Sequence, residues 1–266
     1  MTREKVIDRA KELLGEGKIK GFIALRERNG HVQPHIFTTV EELTALNLGD
    51  KKRPGDARYP LNKLLVELSR LYPEGTFAVL VRGCDERGIV ELVKWHQLDP
   101  ERLVTVGIPC AEELARACAC SKPYPDNSVE GEKVQPASRS PLLEGVEGKS
   151  LEDRFQFWME HFARCVKCYG CRNICPMCFC QECSLEEGEL IQKGVLPTEN
   201  PIFHLTRAVH MIGRCIDCGL CEEACPADIP IRALYKKVAE IVAAETGYRP
   251  GENPDEKCPY NVYGVS

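Results

Sequence analysis

Several features that would assign a function class are missing from this chain of 266 residues. No stretch approaches the roughly 20 apolar residues of a membrane-spanning helix. The first residues, MTREKVIDRAKELLGEGKIKG, are charged and lack the apolar centre of a secretory signal. The formal net charge of −5 argues against a nucleic-acid surface. No G-x-G-x-x-G phosphate loop, catalytic triad or nucleophile motif is found. We therefore expect a cytoplasmic protein with no membrane span and no nucleic-acid partner.

Cysteine, in contrast, is abundant, with 16 residues. Disulfide scaffolds are short secreted chains whose cysteines are spread along the sequence. Here eleven cysteines lie in two tight groups, at 165–183 and 215–225. Cysteines two residues apart converge on one metal centre more easily than they pair with each other. The distribution therefore predicts metal ligation rather than disulfides.

The N-terminal half has the pattern of an α/β fold. REKVIDRAKELLGEG and LNKLLVELSRLYPEG have helical periodicity. KGFIALRER and HVQPHIFTT are typical of two strands around an Asn29-Gly30 turn. TFAVLV, ERGIVELVKWHQ and RLVTVGI follow as strand, helix and strand, which is a βαβ unit with parallel strands. We predict an α/β domain with a small parallel sheet over residues 1–120, including a polar loop at 49–60.

The composition then changes. Residues 121–150 are rich in Pro, Ser, Gly and charge, which predicts an extended linker or an arm that docks on a neighbour. LEDRFQFWMEHFAR, NPIFHLTRAVHMIGR and IPIRALYKKVAEIVAAETG follow as amphipathic helices, the last capped near Gly247. We predict an α-helical domain over 151–248, with cysteine-rich loops between its helices, and a C-terminal tail over 249–266.

Two motifs with the spacing C-x2-C-x2-C-x3-C-P carry the chemistry. This is the spacing of bacterial proteins that hold two [4Fe–4S] clusters, in which the fourth cysteine of each motif ligates the other cluster. Zinc is the alternative for soft thiolates, but zinc sites usually pair C-x2-C with a distant C-x2-C. We therefore predict two [4Fe–4S] clusters. The ligands of the first are Cys165, Cys168, Cys171 and Cys225, and those of the second are Cys215, Cys218, Cys221 and Cys175.

The long helical insert between these motifs resembles the α-helical ferredoxin domains of heterodisulfide reductase C subunits and of fumarate reductase iron–sulfur subunits. The resemblance covers roughly residues 150–246. It implies an α-helical ferredoxin domain with two clusters and identifies no substrate.

A second resemblance covers about residues 74–120. FAVLVRGCDERGIVELVKWHQLDPERLVTVGIPC is similar to the region around the Ile-Pro-Cys motif of β subunits of deazaflavin-coenzyme-reducing hydrogenases and formate dehydrogenases. In that family this cysteine and a later C-x2-C help to hold a [4Fe–4S] cluster near a flavin. The resemblance implies a third cluster, to which Cys110, Cys180 and Cys183 contribute. Much of the family's flavin site is missing here, so a flavin is expected only at a subunit interface, if at all.

The fourth ligand of this third cluster is open. Cys84 follows a predicted strand, where ligands commonly bind, and it joins the predicted set of Cys84, Cys110, Cys180 and Cys183. Cys118, Cys120 and Cys178 are the other candidates, and each could equally be a buried small residue. Two histidines lie on the helix between the motifs, and His204 and His210 are expected to pack rather than ligate. Three arginines flank the motifs and either tune the reduction potential of a cluster or form surface ion pairs: Arg164, Arg172 and Arg214.

These features predict an iron–sulfur subunit that passes single electrons within a larger oxidoreductase, beside a flavoprotein, a hydrogenase or a formate dehydrogenase. In that reading the chain is a non-catalytic subunit. One alternative is a flavin-dependent β subunit that oxidises or reduces a deazaflavin or nicotinamide carrier. A second is a free ferredoxin-like carrier, for which the α/β half is too large.

Overall fold

The computed structural model describes residues 2–49, 58–136, 141–189, 191–192 and 201–260. The chain divides into two compact units. The α/β unit comprises Met1–Ala137 and Gly251–Pro254, and the helical unit comprises Ser138–Pro250 and Asp255–Ser266. Most of the polar loop expected at 49–60 lies outside the described residues, as do parts of the predicted arm and tail.

The α/β unit begins with a helix and a β-hairpin. Helix α1 spans Thr2–Gly15, strand β1 spans Gly21–Arg28 and strand β2 spans His31–Phe37. Asn29 and Gly30 join the strands with φ angles of 53° and 78°, which is the left-handed backbone that a tight hairpin turn requires. The predicted hairpin is therefore confirmed. Strand β3, Leu46–Asn47, follows a 3-10 turn at Glu41–Ala45.

The predicted βαβ unit follows. Helix α2 spans Leu61–Leu71, strand β4 Phe77–Val81, helix α3 Gly83–Lys94 and strand β5 Leu103–Gly107, and a short helix α4 spans Glu112–Ala117. Strands β4 and β5 pair in parallel, with Val81 opposite Gly107 at their carboxyl ends. The residues after both strands therefore lie at one edge of the sheet.

The sheet is mixed: the predicted parallel pair is present, and the predicted hairpin joins the same sheet. The strand order is β2-β1-β4-β5, with β3 also paired to β1. Strand β1 runs parallel to β4 but antiparallel to β2 and β3. Gly21–Leu25 are buried throughout, and helices α1 and α2 both pack against β1. Alternation and turn residues identify a hairpin, but they do not say which sheet the hairpin joins.

The helical unit contains six helices within the residues that the structure describes. They are α5 Pro141–Glu147, α6 Leu151–Ala163, α7 Gly170–Asn173, α8 Ile202–His210, α9 Leu220–Glu223 and α10 Ile231–Thr246. Gly247 ends α10 with a φ of 78°, so the predicted glycine cap is confirmed. Among the described residues, every helix is too short or too polar to cross a membrane.

Candidate metal centre

The two cysteine motifs have the same backbone shape, fifty residues apart. Lys167 and Asp217 occupy equivalent places in the two loops, and both have a positive φ, of 49° and 53°. Tyr169 and Gly219 are also equivalent, with φ angles of 58° and 79°. A non-glycine residue rarely adopts this conformation unless the surrounding structure requires it. The repeated spacing in the sequence therefore corresponds to a repeated loop.

Each loop continues into a single helical turn, α7 or α9, that carries the third cysteine. The amide of Ile174 donates to the carbonyl of Gly170, and the amide of Ala224 donates to the carbonyl of Leu220, both at 3.0 Å. The Cys-Pro pair follows directly, and the proline prevents the turn from extending further. The fourth cysteine of each motif thus lies just beyond its own loop.

The structure brings together the four cysteines of the first predicted set. Burial raises the pKa of the Cys171 thiol, Arg207 lowers it, and the thiols of Cys165, Cys168 and Cys225 raise it further. The approach of Cys225 to the first loop is very close. A side-chain carbon at Gly170 would lie only 2.9 Å from the carbonyl oxygen of Ala224, the residue before Cys225. A glycine is therefore needed where the two motifs meet.

The second predicted set lines one small cavity of about 20 Å³. Its four cysteine thiols belong to Cys175, Cys215, Cys218 and Cys221. Burial raises the pKa of the Cys221 thiol, and the neighbouring Cys218 and Cys215 thiols raise it further. Four soft sulfur donors around one cavity fit the ligand set of an iron–sulfur cluster.

A half-buried ion-pair network holds the second loop. The Arg232 guanidinium donates from Nε to Asp217 Oδ1 at 2.7 Å, and Lys236 Nζ donates to Asp217 Oδ2 at 3.0 Å. Burial opposes ionisation of Asp217, but Arg232 and Lys236 together hold its pKa below its usual value. The carboxylate therefore ties α10 to the loop between Cys215 and Cys218.

Arg207 on α8 is a functional candidate that the sequence reasoning missed. Its side chain is only 2% exposed. The guanidinium donates to the carbonyl of Cys171 at 2.6 Å and to Cys178 Sγ at 3.2 Å, and it also lines the cavity of the second set. The Arg207 guanidinium therefore contacts the first motif and also lies beside the thiols of the second predicted set. The amphipathic pattern of α8 gave no signal that this position would be buried.

His204 and His210 lie on the same helix in different surroundings. The His204 ring stacks on Phe162 with 4.4 Å between ring centroids, so its predicted packing role is confirmed. Burial lowers the pKa of His204 to about 4. His210 is exposed, with Nε2 3.5 Å from Ser184 Oγ.

The three flanking arginines differ in their partners. Arg164 donates to the carbonyl of Asp228 at 3.2 Å, and Arg172 forms a 2.6 Å ion pair with Glu186. The Arg214 guanidinium lies 5.2 Å from the centroid of the Phe179 ring. Each arginine therefore stabilises a loop next to one of the motifs.

Cys84 and Cys110 belong to the α/β unit, whereas Cys180 and Cys183 belong to the helical unit. Cys84 lies in the first turn of α3 and Cys110 follows β5, at the carboxyl edge of the parallel strands. Burial raises the pKa of the Cys110 thiol, Arg82 lowers it, and the nearby thiols of Cys120 and Cys118 raise it further. The four-ligand set for a third cluster stays a prediction.

Cys118 and Cys120 therefore lie near Cys110 within the α/β unit. Arg58 Nη1 donates to Cys118 Sγ at 3.1 Å, and Cys120 is buried. Cys118 and Cys120 were among the candidate ligands, but the arginine contact was not predicted, because Arg58 is 52 residues from Cys110 in the chain. Cys258 lies in the helical unit, where its Sγ would be 2.4 Å from a side-chain carbon at Gly213.

All 16 cysteines are described, and each is a thiol rather than half of a disulfide. Among the described residues, no three His, Cys, Asp or Glu side chains gather closely enough to bind a single metal ion. The cysteines of both repeated motifs are among these residues. In a [4Fe–4S] cube each thiolate binds a different iron, so its ligands surround a cavity instead of converging on a point.

The comparisons with known proteins fit this chemistry. A family model described as a 4Fe-4S binding domain matches residues 209–231, which include the second motif. The chain thus carries an iron–sulfur binding domain of the ferredoxin class.

Two relatives are named as β subunits of formate dehydrogenases. The F420-dependent formate dehydrogenase subunit beta of Methanocaldococcus jannaschii is 41% identical over 113 residues, which cover 41% of this chain and 30% of that protein. The F420-dependent formate dehydrogenase 1 subunit beta of Methanococcus maripaludis is 38% identical over 119 residues, covering 44% of this chain and 30% of that protein. The resemblance to formate dehydrogenase β subunits is confirmed, and the chain spans about 30% of the length of these relatives.

Proposed function

We propose that this chain is an iron–sulfur electron-transfer subunit of a larger, formate-dehydrogenase-type oxidoreductase. The observation that carries the proposal is that the fourth cysteine of each motif lies beside the other motif, which supports an exchange of ligands. A side-chain carbon at Gly170, next to Cys171, would lie 2.9 Å from the carbonyl oxygen of Ala224, next to Cys225, and Cys175 shares a cavity with the second triplet. Such an exchange is the signature of two adjacent [4Fe–4S] clusters.

The first cluster is held by Cys165, Cys168, Cys171 and Cys225, and the second by Cys215, Cys218, Cys221 and Cys175. When bound, such clusters accept and donate single electrons. The chain supplies the rest. Burial keeps water from the inner thiols, and the Arg207 guanidinium offsets negative charge between the two sets.

The relatives support the place of the chain in a complex. Both are named as β subunits of F420-dependent formate dehydrogenases, so each works beside at least one other subunit. By that likeness the partners are other subunits of a redox complex: a flavoprotein, a hydrogenase or a dehydrogenase. The complex is proposed to be cytoplasmic.

A second candidate is a flavin-dependent β subunit that exchanges electrons with a deazaflavin or nicotinamide carrier. The names of the relatives favour it, since F420 is in both. A flavin absorption band that copurifies with the protein at one equivalent per chain would support this candidate. A flavin-free protein that still carries clusters supports the electron-transfer subunit.

The direct test is anaerobic purification with iron, acid-labile sulfide and zinc analysis. Two cubes require about eight irons and eight sulfides per chain, and their proximity should give a magnetically coupled spectrum on reduction. Zinc in place of iron, in protein made with iron in excess, would refute the proposal.

A further inference from the structure

One pocket of the helical unit gathers the surplus cysteines of the segment CPMCFCQEC. It has a volume of about 210 Å³, and its wall includes the three cysteines of this segment that the two repeated motifs do not use, namely Cys178, Cys180 and Cys183. Cys180 is exposed and the other two are half-buried. Three thiols within six residues, on the wall of one pocket, are a donor set for a metal cluster rather than a run of core residues.

The charge around this pocket suits an anionic cluster. Arg172, Arg207 and Arg214 all line it, whereas Glu182 is its only acidic lining residue among those described. The Arg207 guanidinium contacts Cys178 Sγ directly, at 3.2 Å. Three thiolates beside one another would repel, and nearby guanidinium groups reduce that cost. The same charges would stabilise the added electron of a reduced cluster.

A fourth donor lies on the same wall. His210 lines the pocket, and its Nε2 is 3.5 Å from Ser184 Oγ, next to Cys183. Imidazole nitrogen replaces cysteine on iron in some iron–sulfur proteins and raises the reduction potential. Among the described residues on this wall, His210 provides the only imidazole.

The pocket also adjoins the two proposed cluster sites. Met177, Arg207 and Met211 line both this pocket and the cavity of the second set. On the other side, Cys183 packs with Cys165 and Tyr169 against the small core of Leu185, Ile191 and Phe203. A cluster in the pocket would therefore be next to the repeated motifs within a single unit.

We propose that this pocket binds a third [4Fe–4S] cluster through Cys178, Cys180 and Cys183, with His210 as the fourth ligand. The proposal rests on the iron–sulfur chemistry proposed for the repeated motifs. It differs from the set predicted by the sequence resemblance, because it replaces Cys84 and Cys110 with two residues of the helical unit.

The test compares iron content across matched variants of the full chain, reconstituted anaerobically. The unchanged protein should hold about twelve irons, because three cubes hold four each. Cys178→Ser and Cys183→Ser should each fall to about eight and keep the coupled spectrum of the two neighbouring clusters. Cys110→Ser, a cysteine of the other unit, should keep all twelve.

The outcomes are separable. A loss of four irons in Cys110→Ser would overturn the pocket set in favour of the ligands that the resemblance implies. Eight irons in the unchanged protein, with the coupled spectrum present, would overturn the third cluster and leave the proposed function intact. One zinc per chain that Cys178→Ser removes would also overturn it. An absence of iron altogether would refute the proposed function instead.

His210 has its own test. His210→Cys should keep twelve irons and lower the midpoint potential of one cluster only, because a thiolate replaces a neutral imidazole. An unchanged set of midpoint potentials would overturn the assignment of His210 as a ligand.

Discussion

His204 lies on α8 with its imidazole enclosed by aromatic rings. Phe162 stacks on it at 4.4 Å and Phe203 meets it edge-on at 5.2 Å. Neither ring nitrogen has a hydrogen-bond partner among the described residues. Burial lowers its pKa to about 4, whereas an unfolded histidine titrates near 6.5. Between these pH values the unfolded chain binds a proton that the folded chain excludes.

Stability should therefore fall as the pH falls below 6.5. With these two pKa values, the contribution of His204 to the free energy of unfolding drops by about 2 kcal/mol between pH 7 and pH 5. At about 2–4 °C per kcal/mol, the melting temperature should fall by roughly 4–8 °C from this residue alone.

The variant His204→Phe keeps an aromatic ring in the stack and removes the titrating group. Between pH 7 and pH 5, the melting temperature of this variant should fall by roughly 4–8 °C less than that of the unchanged protein. The exposed His31 provides a control, since His31→Phe should retain the original pH dependence. Equal losses in the unchanged protein and in His204→Phe would refute the reasoning.

Three further substitutions test the frame around the motifs. Arg207→Leu should lower the free energy of unfolding by about 3 kcal/mol, since it removes a buried, hydrogen-bonded charge. The exposed ion pair of Arg116 with Glu112 is the control, and its loss should cost less than about 1 kcal/mol in the same denaturation assay. Asp217→Asn should lower the free energy of unfolding by about 1–2 kcal/mol at neutral pH, because two half-buried cations lose their counterion; a cost near zero by urea denaturation would contradict this. Gly170→Ala should weaken iron binding, because the new methyl group would meet a carbonyl oxygen at 2.9 Å. Gly145→Ala, which has open space around it, should leave the iron content unchanged.

The spacing of the cysteines was informative because cluster ligation depends on local geometry. Three thiols at i, i+3 and i+6 belong to one loop, so their relation can be read from the chain itself. The proposed co-ligands of Cys225, in contrast, lie more than fifty residues away in the chain. Only the Cys-Pro ending of each motif indicated that Cys225 would lie beside the other motif. The structure shows in addition that position 170 requires glycine, because the carbonyl of Ala224 lies too close for a larger side chain.

Charged residues buried by tertiary packing were beyond the sequence reasoning. Arg207 occupies an ordinary position in an amphipathic helix, and nothing local distinguishes it from Arg214. Its burial depends on elements from both motifs. The same holds for the sheet: β1 and its hairpin were identified from alternation and Asn29-Gly30, but the parallel pairing of β1 with β4 depends on long-range contacts.

The most direct test of the central claim is the exchange of the fourth cysteines between the two motifs. Three variants suffice: Cys175→Ala, Cys221→Ala and Cys171→Ala, each purified anaerobically and reduced. If the fourth cysteines are exchanged, Cys175→Ala should leave the same residual spectrum and midpoint potential as Cys221→Ala, because both variants damage the second cluster. A residual signal in Cys175→Ala that matches Cys171→Ala would mean that each motif holds its own cluster, and would contradict the account.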